Sequence, residues 1–166
     1  IPIYLSGVNI GLARLAGEVA DGFHVHPFHT AAYLRDVVRP ALQTGRDRAH
    51  EAVVSGVLPT LSATIFVITS DAEREQVRAQ IAFYASTLSY RAVLAHHGWA
   101  AIGERLSALA ARGRWDERPA LIAGDLLRAF AVEALLGDLA PLLRERYAGR
   151  LDRLGSSFSA LVNSVR

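Results

Sequence analysis

Pro2-Ile3-Tyr4-Leu5-Ser6-Gly7-Val8-Asn9, followed by Ala13-Arg14-Leu15-Ala16-Gly17-Glu18-Val19-Ala20-Asp21-Gly22, is the stretch that decides the fold. Ile3 to Leu5 is a short apolar run that stops at Ser6-Gly7, the pattern of a buried strand running into a turn. Leu12, Leu15, Ala16, Val19 and Ala20 then recur at helical spacing in one stripe. Asp21-Gly22 closes that helix, and Phe23-His24-Val25-His26 reads as a second strand, stopped by Pro27. A strand, a helix and a strand in this order make a crossover unit, which joins parallel strands.

The rest of the chain extends this alternation. Thr30 is a candidate N-cap for a helix carrying Leu34, Val37, Val38, Ala41 and Leu42 on one stripe. Pro40 inside that stripe predicts a kink or an end near Arg39, and Thr44-Gly45 is a stop signal. Val53 to Leu61 is ambiguous, being broken by Gly56 and Pro59. Ala63 to Thr69, rich in β-branched residues, is the clearest strand. Ser70 or Asp71 caps a helix to about Ala85, with Val77, Ile81 and Tyr84 on one face. A long helical insert, about residues 86–136, is interrupted at Gly98, Gly113 and near Pro119. Leu139, Leu142, Leu143 and Tyr147 mark the last amphipathic helix, Gly149 ends it, and Leu151 to Phe158 is the last strand candidate. The order predicts an α/β domain over residues 1–166 with a parallel sheet. Four βα units build either an open sheet or half of a closed (β/α)8 barrel, and periodicity does not choose between them.

Composition narrows the function classes. With 51% hydrophobic residues a sizeable core is affordable, yet no apolar run approaches the length of a membrane span. The chain has no Cys, which removes disulfides, thiol catalysis and thiolate metal sites, and fits a cytoplasmic protein. All 18 basic residues are Arg, interspersed with acids at helical spacing, and the net charge is only +2. Solvated helix faces account for that pattern better than a nucleic-acid footprint does. The chain begins Ile1-Pro2-Ile3 and contains no Met, so it reads as an excerpt or a processed product. No nucleophile elbow or Walker loop is present, and the spacing of Gly7 and Gly11 does not fit a dinucleotide fingerprint.

The opening stretch resembles the fifth strand, fifth helix and sixth strand of luciferase-like monooxygenases, through the block Ala16-Gly17-Glu18-Val19-Ala20-Asp21-Gly22 above all. His24-Val25-His26-Pro27-Phe28-His29-Thr30, Gln80 to Thr87, Tyr90-Arg91, His97-Gly98-Trp99, Arg114-Trp115-Asp116 and Leu143 to Tyr147 are similar to a branch dependent on coenzyme F420. The resemblance implies a C-terminal half-barrel, the equivalents of strands 5 to 8, with the helical insert before the last strand. It also implies hydride transfer between F420 and a small organic substrate, FMN-dependent monooxygenation being the alternative. The chain departs from the family at Leu88, at Val132 to Asp138 and after Asp152-Arg153.

Ser6, Gly7, Val8 and Asn9 end a predicted strand, where a (β/α)8 barrel carries its active site. Read alone they are a strand-to-helix turn; the resemblance makes them cofactor contacts. His24 and His26 share a strand face, which is metal-ligand spacing, but no third and fourth ligand stands nearby and no metal is expected. Two readings stay open for the cluster: hydrogen-bonded rim histidines, or His26 and His29 lining a substrate pocket beside Thr30 and the helix that follows it. The resemblance favours the second. Tyr90 and Arg91 are candidates to close over that pocket from the insert, the arginine suiting a phosphate or carboxylate or, equally, a surface salt bridge. Asp21 reads as a turn carboxylate on the opposite face. The general acid or base is not legible here, and the resemblance places it in a preceding half. The expected partners are that half or a second copy, and a chain of this length alone is expected to be inactive. A non-catalytic, self-associating half-barrel is the remaining alternative.

Overall fold

The computed structural model describes residues 1–49 and 57–156. Strands β1 (Tyr4–Gly7), β2 (Gly22–Val25) and β3 (Thr60–Ile68) lie side by side, all parallel. β5 (Arg153–Ser156) pairs with β3 at Ser62 to Ile65, and the short β4 (Ala131–Glu133) pairs with it higher up, at Phe66 to Ile68. Ser62 and Ala63 pair with both β2 and β5, so those two strands flank β3 on opposite edges. Helices fill the crossovers: α1 (Ile10–Val19) between β1 and β2, then α2 (Ala31–Tyr33), a wide π turn (Leu34–Val38) and α3 (Arg39–Arg46) on the way to β3. α4 (Asp71–Ala85) follows β3. The insert holds α5 (Arg91–His96), α6 (Ala100–Ala111) and α7 (Gly124–Phe130), and α8 (Leu139–Tyr147) returns the chain to β5. The sheet and its helices make about half of a (β/α)8 barrel.

Strand alternation separates two faces. Phe23, Val25, Leu61, Ala63 and Ile65 are buried against the helices. On the other face Ser6, His24, Ser62 and Arg153 stand in one register row. Two carboxylates fix the upstream ends of the strands. Asp21 accepts the Ile3 backbone N–H at 2.7 Å, and Asp152 accepts that of Leu61 at 2.7 Å. Asp21 is thus the backbone-satisfying turn residue that its position suggests. At the helix crossing, α1 and α3 meet backbone to backbone. A Cβ on Gly17 would lie 2.1 Å from the Leu42 carbonyl oxygen, and one on Gly45 would lie 1.9 Å from that of Arg14. The glycine of the Ala16-Gly17-Glu18 block therefore exists for helix contact.

Several boundaries differ from the sequence reading. At Pro40 the expected interruption near Arg39 takes the form of a wide turn, not an end. The Arg39 N–H bonds to the Leu34 carbonyl, one residue further back than in an α turn, and this wider turn absorbs the proline before α3 continues to Arg46. The insert is not wholly helical, because Ala131 to Glu133 form β4; three residues are too few to leave a periodic signal. β3 begins at Thr60, directly after Pro59, while residues 53–56 of the ambiguous segment lie outside the described residues. β5 covers Arg153 to Ser156, and Phe158 also lies outside them. Thr30 and Ser70 cap their helices as expected, accepting from Tyr33 N and Glu73 N.

Candidate functional site

The downstream tips of β1 and β2 lie next to each other, as parallel pairing in register demands. The ladder runs one step past the strands, the His26 N–H donating to the Gly7 carbonyl at 2.9 Å. Ser6 Oγ donates to the His24 carbonyl at 3.0 Å, and the Tyr33 hydroxyl donates to the Val8 carbonyl at 3.3 Å. Asn9 is the N-cap of α1, but its side chain makes no capping bond, and the first turn carries no acidic residue. The N–H groups opening α1 thus remain available, and beside Gly11 nothing lies within 4 Å of where a Cβ would stand. At Gly7 a Cβ would lie 2.6 Å from Leu12 Cδ1, the tip of an exposed flexible side chain that can move aside.

The loop from His26 to Thr30 is locked by its own groups. The Phe28 N–H donates to His26 Nδ1 at 3.1 Å, His29 Nδ1 bonds the His26 carbonyl at 2.9 Å, and the His29 N–H bonds the Pro27 carbonyl at 2.9 Å. The insert then docks onto this loop at two points. The Tyr90 hydroxyl meets His26 Nε2 at 3.1 Å, and His97 Nε2 meets Thr30 Oγ1 at 2.7 Å. Aromatic packing backs both contacts. Phe28 stacks on Phe130 with ring centroids 4.4 Å apart, His26 lies 4.6 Å from Tyr84 and from Tyr90, and His97 stacks on Trp99 at 4.6 Å.

These histidines are held neutral. Burial pushes His29 down to about 4, with His26, Arg146 and His24 adding repulsion against its hydrogen bond to the His26 carbonyl. His26 is lowered by burial and then by His24, and His97 by burial and then by His96. Since the His29 Nδ1–H serves the carbonyl, its buried Nε2 is a lone pair without a partner; the buried Tyr147 hydroxyl, whose ring lies edge-on to His29, also has none.

The sequence of residues 1–154 matches the profile of the luciferase-like monooxygenases. The chain belongs to the luciferase-like monooxygenase family. It is 36% identical, over 95% of its length, to uncharacterized proteins of Mycobacterium tuberculosis and Mycobacterium bovis, and it spans 47% of the length of those relatives. Among solved structures it resembles the coenzyme F420 dependent tetrahydromethanopterin reductase from Methanopyrus kandleri, with TM-score 0.70, 20% identity, and coverage of 95% of this chain and 45% of that one. It also resembles an F420-dependent secondary alcohol dehydrogenase in complex with an F420-acetone adduct, with TM-score 0.56, 13% identity, and coverage of 94% and 42%. At these identities the likeness is one of fold.

Within this luciferase-like half-barrel, Ser6 to Asn9 and His26 to Thr30 come together at one rim. Arg91 does not join them. Its Nη2 reaches Ser107 Oγ at 3.3 Å inside the insert, where Arg118 bonds Ser86 Oγ at 2.9 Å and lies 4.1 Å over Trp115. Tyr90 and His97 are the insert residues that touch the rim. Tyr90 is one of the two insert residues the sequence offers for that role; His97 is not, since no spacing rule links residues so far apart in sequence. A groove of about 850 Å³ between the start of α2 and α8 is lined by Arg35, Arg128, Arg146 and Arg150. Those arginines are engaged structurally: Arg146 bonds the carbonyls that end α7, and Arg35 and Arg128 pair with Asp36 and Asp125. Among the described residues no three His, Asp or Glu side chains assemble a metal site, and no helix is long and apolar enough to cross a membrane.

Proposed function

We propose that the protein carrying this chain is an F420-dependent oxidoreductase, and that this half supplies part of the cofactor and substrate rim. The observation that carries the reading is the uncapped start of α1 beside the β1 tip. Its free N–H groups, the Asn9 side chain and the open space at Gly11 suit an anionic arm such as the phosphate of a deazaflavin or flavin cofactor. Ser6, Gly7 and Val8 place their backbone along the same edge, and the cofactor, when bound, supplies the hydride chemistry. His26, His29 and Thr30 shape the neighbouring substrate side. The family and its F420-dependent structural neighbours support this choice.

Half of a barrel leaves chemistry to another part. Among the described residues β1 and β5 each pair on one edge only, and Leu12, Leu15 and Val19 expose an apolar stripe on α1. The reading therefore includes a covering partner, either the rest of the barrel in a longer chain or a second copy, and little activity from these 166 residues alone. The cysteine-free chain suits a cytoplasmic enzyme acting on a small molecule. The test is the cofactor that co-purifies with the whole protein, identified by absorbance and mass. F420 is expected; FMN would replace the reading by a flavin monooxygenase, and a folded protein with affinity for neither would end it.

A further inference from the structure

The orientation of one hydrogen bond at the rim follows from elementary donor and acceptor counting. A backbone N–H can only donate, so the Phe28 N–H held at 3.1 Å makes His26 Nδ1 an acceptor. A neutral His26 must then carry its proton on Nε2. That Nε2–H faces the Tyr90 hydroxyl at 3.1 Å, so Tyr90 accepts there. The proton of the Tyr90 hydroxyl is left over, and among the described residues no protein acceptor takes it. The ring is fixed in this pose by His26, Phe28 and Tyr84, with centroids 4.6, 5.5 and 5.5 Å away, and it is only half-buried.

We infer that Tyr90 is a ligand-facing hydrogen-bond donor of this rim, held in that polarity by His26, and that it selects a ligand presenting an acceptor oxygen there. The inference rests on the reading above in one respect, that a ligand binds at these strand tips. It also redefines His26: both ring nitrogens are used within the protein, so His26 is a positioning residue and Tyr90 makes the contact. The insert, through a residue 64 positions away from His26, thereby sets the chemical preference of a site built on the sheet.

The test has a ligand-free arm and a ligand arm, both on the whole protein. With isotope-labelled histidine at neutral pH, long-range nitrogen–proton correlations assigned by their loss in His26→Gln are expected to give the Nε2–H tautomer. An Nδ1–H or doubly protonated pattern overturns the inference. Cyclohexanone and methylenecyclohexane, alike in shape but with and without an acceptor, serve as probes. The wild type is expected to bind the ketone about five to ten times more tightly, the worth of one hydrogen bond. Tyr90→Phe, which keeps the ring packing, brings the ratio to about one; His26→Phe lowers it, and His26→Gln, which keeps a donor toward Tyr90, restores most of it. Equal binding of the probes by the wild type, or a ratio that survives Tyr90→Phe, overturns the inference. If neither F420 nor FMN binds while the ketone preference holds, the cofactor reading falls and Tyr90 stands. If F420 binds and the preference is absent, the reverse follows.

Discussion

Replacing Gly17 by Ala tests the helix crossing on which the rim depends. The added Cβ would lie 2.1 Å from the Leu42 carbonyl oxygen, 2.9 Å from its carbon and 3.0 Å from the Arg46 nitrogen. All three are backbone atoms, so no rotamer change relieves the clash, and α1 must move away from α3. Overpacking of this kind costs up to about 3 kcal/mol, against which alanine's helix propensity offsets about 1 kcal/mol. The net destabilisation of about 2 kcal/mol corresponds to a Tm lowered by about 4–8 °C for a chain of this size. Gly11→Ala is the control, in the same helix with nothing within 4 Å of the new methyl; it is expected to be neutral or stabilising by up to about 1 kcal/mol. Thermal or urea unfolding of both variants decides. Equal effects, or a Gly17→Ala protein as stable as the wild type, would refute the backbone-contact explanation of the Ala16-Gly17-Glu18 block.

Two further outcomes are expected. Burial lowers the His29 pKa in the fold to about 4 while the unfolded chain takes up its proton near 6.5, so stability falls as pH drops through that window by about 3 kcal/mol in total and then levels off. His26 and His97 act in the same direction, and His29→Asn, which keeps a donor toward the His26 carbonyl, should flatten the profile measured by urea unfolding at pH 7.5 to 4; an unchanged slope would assign the pH sensitivity elsewhere. Asp152→Ala removes the acceptor of the Leu61 N–H and should destabilise by about 1–3 kcal/mol, raising amide exchange along β3 and β5 while β1 and β2 stay protected. Asp21→Ala should do the opposite, and uniform loss of protection in either variant would contradict the local role.

The first strands and helices were legible because their signals are local. Ser6-Gly7 marks a strand end, Thr30 and Ser70 are caps that act within three residues, and α1 shows its stripe in five positions. Pro40 marks a real interruption, since the π turn at Leu34 to Val38 ends where α3 opens at Arg39; what the sequence does not show is that the irregularity takes the form of a wide turn. β4 escapes notice because three residues carry no period. The rim was half legible. Strand order alone brings Ser6 to Asn9 beside His26 to Thr30, since adjacent parallel strands share a downstream end. The insert's contribution was partly legible: the sequence offers Tyr90 and Arg91 together, but nothing local tells that Tyr90 meets His26 while Arg91 turns to Ser107, or that His97 reaches Thr30.

The inner face of the sheet carries the same logic further. Barrel interiors are mostly filled by branched apolar side chains in layers. Here the row Ser6, His24, Ser62 and Arg153 is polar, and its own bonds, Ser6 to the His24 carbonyl and His24 to Ser62 Oγ at 3.0 Å, satisfy only part of it. Arg153 stands exposed at the end of that row, with no carboxylate partner among the described residues. An apolar surface would close over this row at the expense of its remaining donors and acceptors. A polar surface with an acceptor for the guanidinium would suit this row better than an apolar one.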